Sequence, residues 1–500
     1  MTMRHARFWR LGVAIASTLV VGVWVAPGRS VAVAAVTEAD RLWVVGARAF
    51  EDGLYDIAFR ELGRFAELAP SDPRRGDAAF LRGKSAYALG RYAEALAEFQ
   101  AAEGYPLQAI TPGEPFFWRG ETLFRLKRME EASAQYALFL RGYPQSIYVP
   151  DALYSKGFAE LELGRSDDAL ASFSRLLREY PRSERAAPAA YSLARELVRL
   201  KRWTDALPVL TSFPSRYPGA PYVGEVRYLL GLAQLETGRT GDGLRNLEQY
   251  IATEPQSDVV PMARLLVAEA QAKAGRPQAA LDQYQTLVRT VPTHPLVPQA
   301  LYQIGDLSVR AGRPADAEAA WTRIRRDFPR DPYAGPAGIG LATLHLRRRQ
   351  LDAAMQVARA VADERGPERV AALLLLGESA FQARRTDEAG QAYQAAVAEA
   401  PPDSSDRFRG LAGVALAAEV QKDLPAAREA YQQIAAGAPD PELSRWAKGR
   451  LLALDSRDAT PPRDVSPARG TTPPHDEAPA REVPKPRSKP KPPVRSGTGS

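Results

Sequence analysis

A chain of 500 residues with 45% hydrophobic and 25% charged side chains has the make-up of a folded protein with a sizeable core. It contains no Cys, which excludes disulfides, zinc–thiolate sites, cysteine nucleophiles and a lipid-modified N-terminal cysteine. The formal net charge of +7 sits at the ends: four Arg and no acid in 1–36, and nine basic against five acidic residues in 456–500, leave the middle at −1. That is not the footprint of a nucleic-acid-binding domain.

Residues 1–36 begin with Arg4, Arg7 and Arg10 and run apolar from Leu11 to Ala26. They end in small residues, among which Ala32-Val33-Ala34 suits a cleavage site. This is the layout of a secretory signal peptide. The alternative is an uncleaved N-terminal anchor in the inner membrane, although Pro27, Gly28 and Arg29 end the run short of the roughly 20 residues a bilayer span needs. Both readings place the remainder outside the cytoplasm, in the periplasm or otherwise exported.

From 37 to 455 the chain repeats with a period of 37. A small residue recurs at Ala58, Ala95, Ala132, Ala169, Ala206, Gly243, Ala280, Ala317, Ala354, Ala389 and Ala427. Twelve residues before each, from Gly46 to Ala415, only Gly or Ala stands. Larger apolar residues follow at +4 and +7, as in Ala169, Phe173 and Leu176, so all three share one helix face. The expected unit is therefore a hairpin of two antiparallel helices that approach closely where each contributes a small residue. Turns such as "LGR" and "AGRP" place Gly164, Gly238, Gly275 and Gly312 at left-handed helix ends. Pro277 and Pro314 fall at helix starts, and pairs such as Tyr143-Pro144 and Tyr180-Pro181 close the second helices. Residues 441–454 read as a last, capping helix. An all-α solenoid of about eleven such repeats, wound as a right-handed superhelix, leaves no room for a separate catalytic domain.

The stretch "YPQSIYVPDALYSKGFAELELGRSDDALASFSRLLREYPRS" (143–183) resembles tetratricopeptide repeats, usually 34 residues long. With three extra residues in the linker, it is similar to periplasmic members such as the barrel-assembly lipoprotein and the repeat part of the Tol-associated cell-division protein. The chain departs from both: it lacks the lipoprotein's anchoring Cys and has no coiled-coil segment ahead of the repeats. The resemblance implies a binding scaffold for proteins, not an enzyme.

Three residues before each first-helix small position stands an aromatic ladder: Trp43, Phe80, Phe117, Tyr154, Tyr191, Tyr228 and Tyr302, with Leu265 interrupting it. In the family this position commonly points into a concave groove that holds an extended peptide or a partner helix. The competing reading is that these rings pack against the next repeat. After repeat eight the ladder lapses to Ile339, Leu374 and Ala412.

Catalytic and metal-binding patterns do not emerge. His5, His294, His345 and His475 lack partners at ligand spacing, so neither metal nor cofactor is expected. "GPAGIGLAT" (335–343) superficially matches a phosphate loop but falls within a first helix. Pro208 should bend its helix. Gly335, Gly338 and Gly340, with Gly366 and Pro367, either loosen repeat nine into a hinge or reflect ordinary repeat decay.

Residues 456–500 are rich in Pro and charge without apolar periodicity, which predicts a disordered tail. It reads as a solvated spacer or as a basic arm touching anionic envelope polymers or a proline-binding partner. The function expected from the whole is a non-enzymatic protein-binding scaffold of the bacterial envelope, in assembly, cell division or export. The alternative is an accessory or substrate-binding subunit of polysaccharide-secretion or peptidoglycan-processing machinery.

Overall fold

The computed structural model describes residues 37–455; the expected signal or anchor segment and the proline-rich tail lie outside them. Every regular element among the described residues is a helix. Contacts divide the chain into two units with the boundary at Tyr250 and Ile251.

The first unit holds six hairpins in chain order: α1 (Glu38–Glu51) with α2 (Tyr55–Leu68), α3 (Arg75–Ala88) with α4 (Tyr92–Glu103), α5 (Glu114–Arg125) with α6 (Met129–Gly142), α7 (Val149–Glu162) with α8 (Ser166–Glu179), α9 (Ala186–Arg199) with α10 (Trp203–Arg216), and α11 (Val223–Glu236) with α12 (Thr240–Thr253), whose last turn crosses the boundary. The second unit continues with α13 (Val260–Lys273) and α14 (Pro277–Thr290), α15 (Val297–Arg310) and α16 (Pro314–Asp327), α17 (Ala334–Arg347) and α18 (Leu351–Asp363), α19 (Arg369–Gln382) and α20 (Thr386–Glu399), α21 (Ser405–Gln421) and α22 (Leu424–Gly437), and the capping helix α23 (Pro441–Asp455).

The turns behave as their residues require. At the end of α7, the Gly164 N–H donates to the Leu161 carbonyl and the Arg165 N–H to that of Glu160, closing a Schellman cap with Gly164 at φ +74°. Gly238, Gly275 and Gly312 take the same conformation, at φ between 69° and 78°. Lys127, Lys201, Arg349 and Arg384 hold it too, at φ between 57° and 62°, without glycine's freedom.

All ten alanines of the second-helix small series are fully buried, Ala58 through Ala427. The first-helix glycines differ from the small-against-small expectation. A Cβ on Gly157 would lie 2.6 Å from the Phe173 ring, and one on Gly120 or Gly377 would lie 2.7 Å from the ring of Tyr136 or Tyr393. Each glycine therefore receives the large residue four places beyond the partner helix's small one. At Gly231 and Gly243 the backbones themselves come close, with a Cβ on Gly243 coming 2.8 Å from the Gly231 carbonyl oxygen. Burying such a ring contributes about 1.5–3 kcal/mol, and the missing methyl is what lets it in.

One hairpin cannot cover its own apolar surface. In the first unit a single core runs from Phe117 to Ala233 through four hairpins, and in the second another runs from Leu265 to Leu344. Helix α10 stays continuous from Trp203 to Arg216 with both Pro208 and Pro214 inside it. Helix α17 is likewise an unbroken fourteen residues, and its glycines are not left open. They admit neighbours instead: Gly340 faces the Trp321 ring and Gly338 faces Val361 and Arg325.

Candidate functional site

The ladder residues occupy one position on successive first helices, and their surroundings follow one scheme. Each ring packs on its own hairpin: Trp43 on Phe65 at 5.6 Å between centroids, Phe80 on Phe99 at 5.8 Å, Tyr154 on Phe173 at 6.2 Å, and Tyr228 on Tyr250 at 5.6 Å. Several also meet the residue that opens the next hairpin. Phe117 stacks on Tyr148 at 4.7 Å and Tyr191 on Tyr222 at 4.6 Å, while Tyr302 meets Tyr333 at 5.4 Å. The guanidinium of Arg74 lies 5.6 Å from the Trp43 centroid and that of Arg185 lies 5.4 Å from Tyr154.

A carboxylate one turn before the ladder residue completes the clasp. Arg74 donates to Asp40 at 2.9 Å, Arg185 to Asp151 at 2.6 Å, and the Tyr148 hydroxyl to Glu114 at 3.3 Å. The sequence reading missed this partner set. Its signal was present: Arg74, Tyr148, Arg185, Tyr222 and Tyr333 fall on the same 37-residue beat.

The ladder therefore fastens repeat to repeat, and its members divide by exposure. Phe80, Phe117 and the interrupting Leu265 are buried and offer a partner no surface. Trp43, Tyr154, Tyr191, Tyr228 and Tyr302 are half-buried. Beyond them Leu374 is buried, and Ile339 and Ala412 are half-buried.

Between α3, α5 and α7 the first-helix face also gathers ionisable groups. The Lys84 ammonium sits 3.9 Å from the Trp118 ring centroid, and burial pushes its pKa down to about 8 against the pull of Glu114. Burial raises Glu114, partly offset by Lys84 and by the Tyr148 hydroxyl. Glu121 is raised for the same reason while it accepts from the Tyr136 hydroxyl at 2.6 Å. Of the histidines, His345 pairs its Nδ1 with Gln350 at 2.8 Å, and His294 accepts from the Leu296 N–H at 3.2 Å. Aromatic rings, guanidinium groups and carboxylates on one helix face equip a surface for recognition by shape and charge.

Comparison with known proteins fits this geometry. The family described as Tetratricopeptide repeat matches residues 46–115, 228–295 and 339–404, and the family described as Outer membrane lipoprotein matches 149–249. The chain thus resembles tetratricopeptide-repeat proteins, with a segment similar to that lipoprotein family, and the class these matches define is the protein-interaction scaffold. No curated protein matches the chain. Among solved structures, a tetratricopeptide repeat protein from Parabacteroides merdae is 15% identical, with 53% of this chain and 98% of that one covered and a TM-score of 0.33. The Pseudomonas aeruginosa pilF structure is 16% identical over 44% and 94% of the two chains, with a TM-score of 0.33. PilW, described as a type IV pilus biogenesis factor, is 18% identical over 45% and 97%, with a TM-score of 0.34. Among the described residues no helix is long and apolar enough to cross a membrane.

Proposed function

We propose that this chain is an exported, non-enzymatic scaffold of the bacterial cell envelope that holds a protein partner along its first-helix face. One observation carries the binding part: Trp43, Tyr154, Tyr191, Tyr228 and Tyr302 are half-buried, held in their hairpins yet still accessible in part. Rigid, half-buried aromatics of this kind supply the anchors on which binding hot spots are built. Phe80 and Phe117 hold the helices that present them. Envelope placement is supported by the Outer membrane lipoprotein match, whose span of 149–249 includes Tyr154, Tyr191 and Tyr228. Export is supported by the basic, then apolar, then small-residue order of 1–36. The partner belongs to envelope assembly, cell division or export, and it lies in the groove as an extended peptide or a helix.

The test replaces Tyr154, Tyr191 and Tyr228 by Ala together and measures partner capture beside the helical circular dichroism signal. Loss of hot-spot residues at about 2 kcal/mol or more should weaken capture by about 30-fold or more, with helicity kept. Unchanged capture would remove this face as the site. Collapse of helicity would show that the rings serve packing alone.

A further inference from the structure

On the second helices, a different series runs through the first unit. Arg91, Arg128, Arg165, Arg202 and Arg239 stand 37 residues apart, each just before a second helix. Four of them find a carboxylate within the chain. Arg91 meets Asp56, Arg165 meets Glu130 and Arg202 meets Asp167, each at 2.8 Å on the preceding second helix, and Arg128 takes Glu131 of its own helix at 2.5 Å. Arg239 has neither source. The residue matching Asp167 is Thr204, and Asp242, three places on, is held by Arg245. Among the described residues the exposed Arg239 guanidinium makes no ion pair or side-chain hydrogen bond.

Here the surface opens into a groove of about 700 Å³ along α10, lined by Thr204, Leu207, Pro208, Thr211, Ser212 and Ser215 with Arg239 at its edge. The matching positions of α8 carry Asp167, Arg175 and Arg178, so only α10 presents an uncharged row of hydroxyls. Ser212 donates to the Pro208 carbonyl and Ser215 to the Ser212 carbonyl, both at 2.9 Å, which leaves their oxygens to accept. Pro208 has no N–H to give the Thr204 carbonyl.

We propose that this groove is a docking site for an acidic, extended peptide segment of a partner protein, whose Asp or Glu carboxylate takes Arg239 as Asp167 takes Arg202. The hydroxyl row receives the segment's backbone N–H groups. This second site lies on second helices, apart from the aromatic face, so either can fail alone.

The test uses the full chain and two fluorophore-labelled peptides, acetyl-Gly-Ser-Asp-Ser-Gly-amide and its Asn counterpart, in fluorescence anisotropy titrations. A charge-assisted contact at an open site should favour the Asp peptide by about 3- to 10-fold, fading as salt rises. Arg239→Gln should abolish the preference. Thr204→Asp should abolish it as well, by filling the guanidinium from within. Equal binding of both peptides, no binding at millimolar concentration, or a preference that survives Arg239→Gln would overturn the proposal.

Discussion

Replacing Gly157 by Ala adds one methyl group in the middle of α7. In an exposed helix that change gains about 1 kcal/mol in helix propensity. At Gly157, however, the new Cβ would lie 2.6, 2.7 and 3.0 Å from three carbons of the Phe173 ring, which is fully buried against Tyr154 and Phe158. Ordinary carbon contacts begin near 3.5 Å, so ring or helix must shift by about 0.9 Å. Overpacking of this size costs about 1–3 kcal/mol, leaving a net change between zero and 2 kcal/mol of destabilisation. Gly390 in α20 supplies the matched comparison, because its added methyl would meet only Ala417, at 3.8 Å. Gly390→Ala should therefore stabilise its helix by about 1 kcal/mol. Hydrogen exchange resolved by peptide is the suitable assay, since a repeat array opens locally rather than as one unit. Exchange across 149–179 should hold steady or quicken by up to about 30-fold in Gly157→Ala, and exchange across 386–399 should slow about fivefold in Gly390→Ala. Equal slowing in both variants would refute the seating of rings on glycines.

Three other outcomes follow from the same geometry. Lys201→Gly should stabilise the α9–α10 turn by about 1 kcal/mol, because Lys201 holds φ +57° against its Cβ; slower exchange of the turn amides checks it. Arg185→Ala removes the 2.6 Å bond to Asp151 and the contact with the Tyr154 ring, and should loosen the junction of repeats four and five by about 1–2 kcal/mol. A double-mutant cycle with Asp151→Ala should return about 1 kcal/mol of coupling, and none would mean the pair is idle. Lys84 should titrate near pH 8, visible in the carbon NMR of methylated lysines as one resonance apart from the rest. Its effect on stability has a definite sign: between about pH 8 and the ordinary lysine value of 10.5, the unfolded chain keeps a proton that the folded chain has released, so stability from this group rises with pH. Lys84→Met should flatten that rise.

The hairpins were legible because close helix packing admits few residues at few positions. Nine small residues on a 37-residue beat, with Ala389 and Ala427 following at intervals of 35 and 38, mark the second helices, and the turn glycines mark their starts. What the small first-helix residues face was harder to read. Spacing within one helix says nothing about its axial offset against an antiparallel neighbour, so Gly157 read as opposite Ala169 when it receives Phe173, one turn further on. The same limit hid the clasp: the ladder was plain, but that Tyr154 meets Arg185 of the next hairpin depends on how hairpins stack. Repeat nine shows a related limit. Propensity alone makes Gly338 and Gly340 a weakness, whereas the bulk of Trp321 and Val361 makes them necessary.

Under the proposed function, first helices meet the protein partner and the charged second-helix surface of α8 does not. The most direct measurement places a photocrosslinking amino acid at Tyr191, Tyr228 or, on α8, the exposed Arg178, and exposes the producing cells to light. Tyr191 and Tyr228 should capture one common protein, and Arg178 none. Capture from Arg178 as strong as from the tyrosines, or none from the tyrosines, would contradict it.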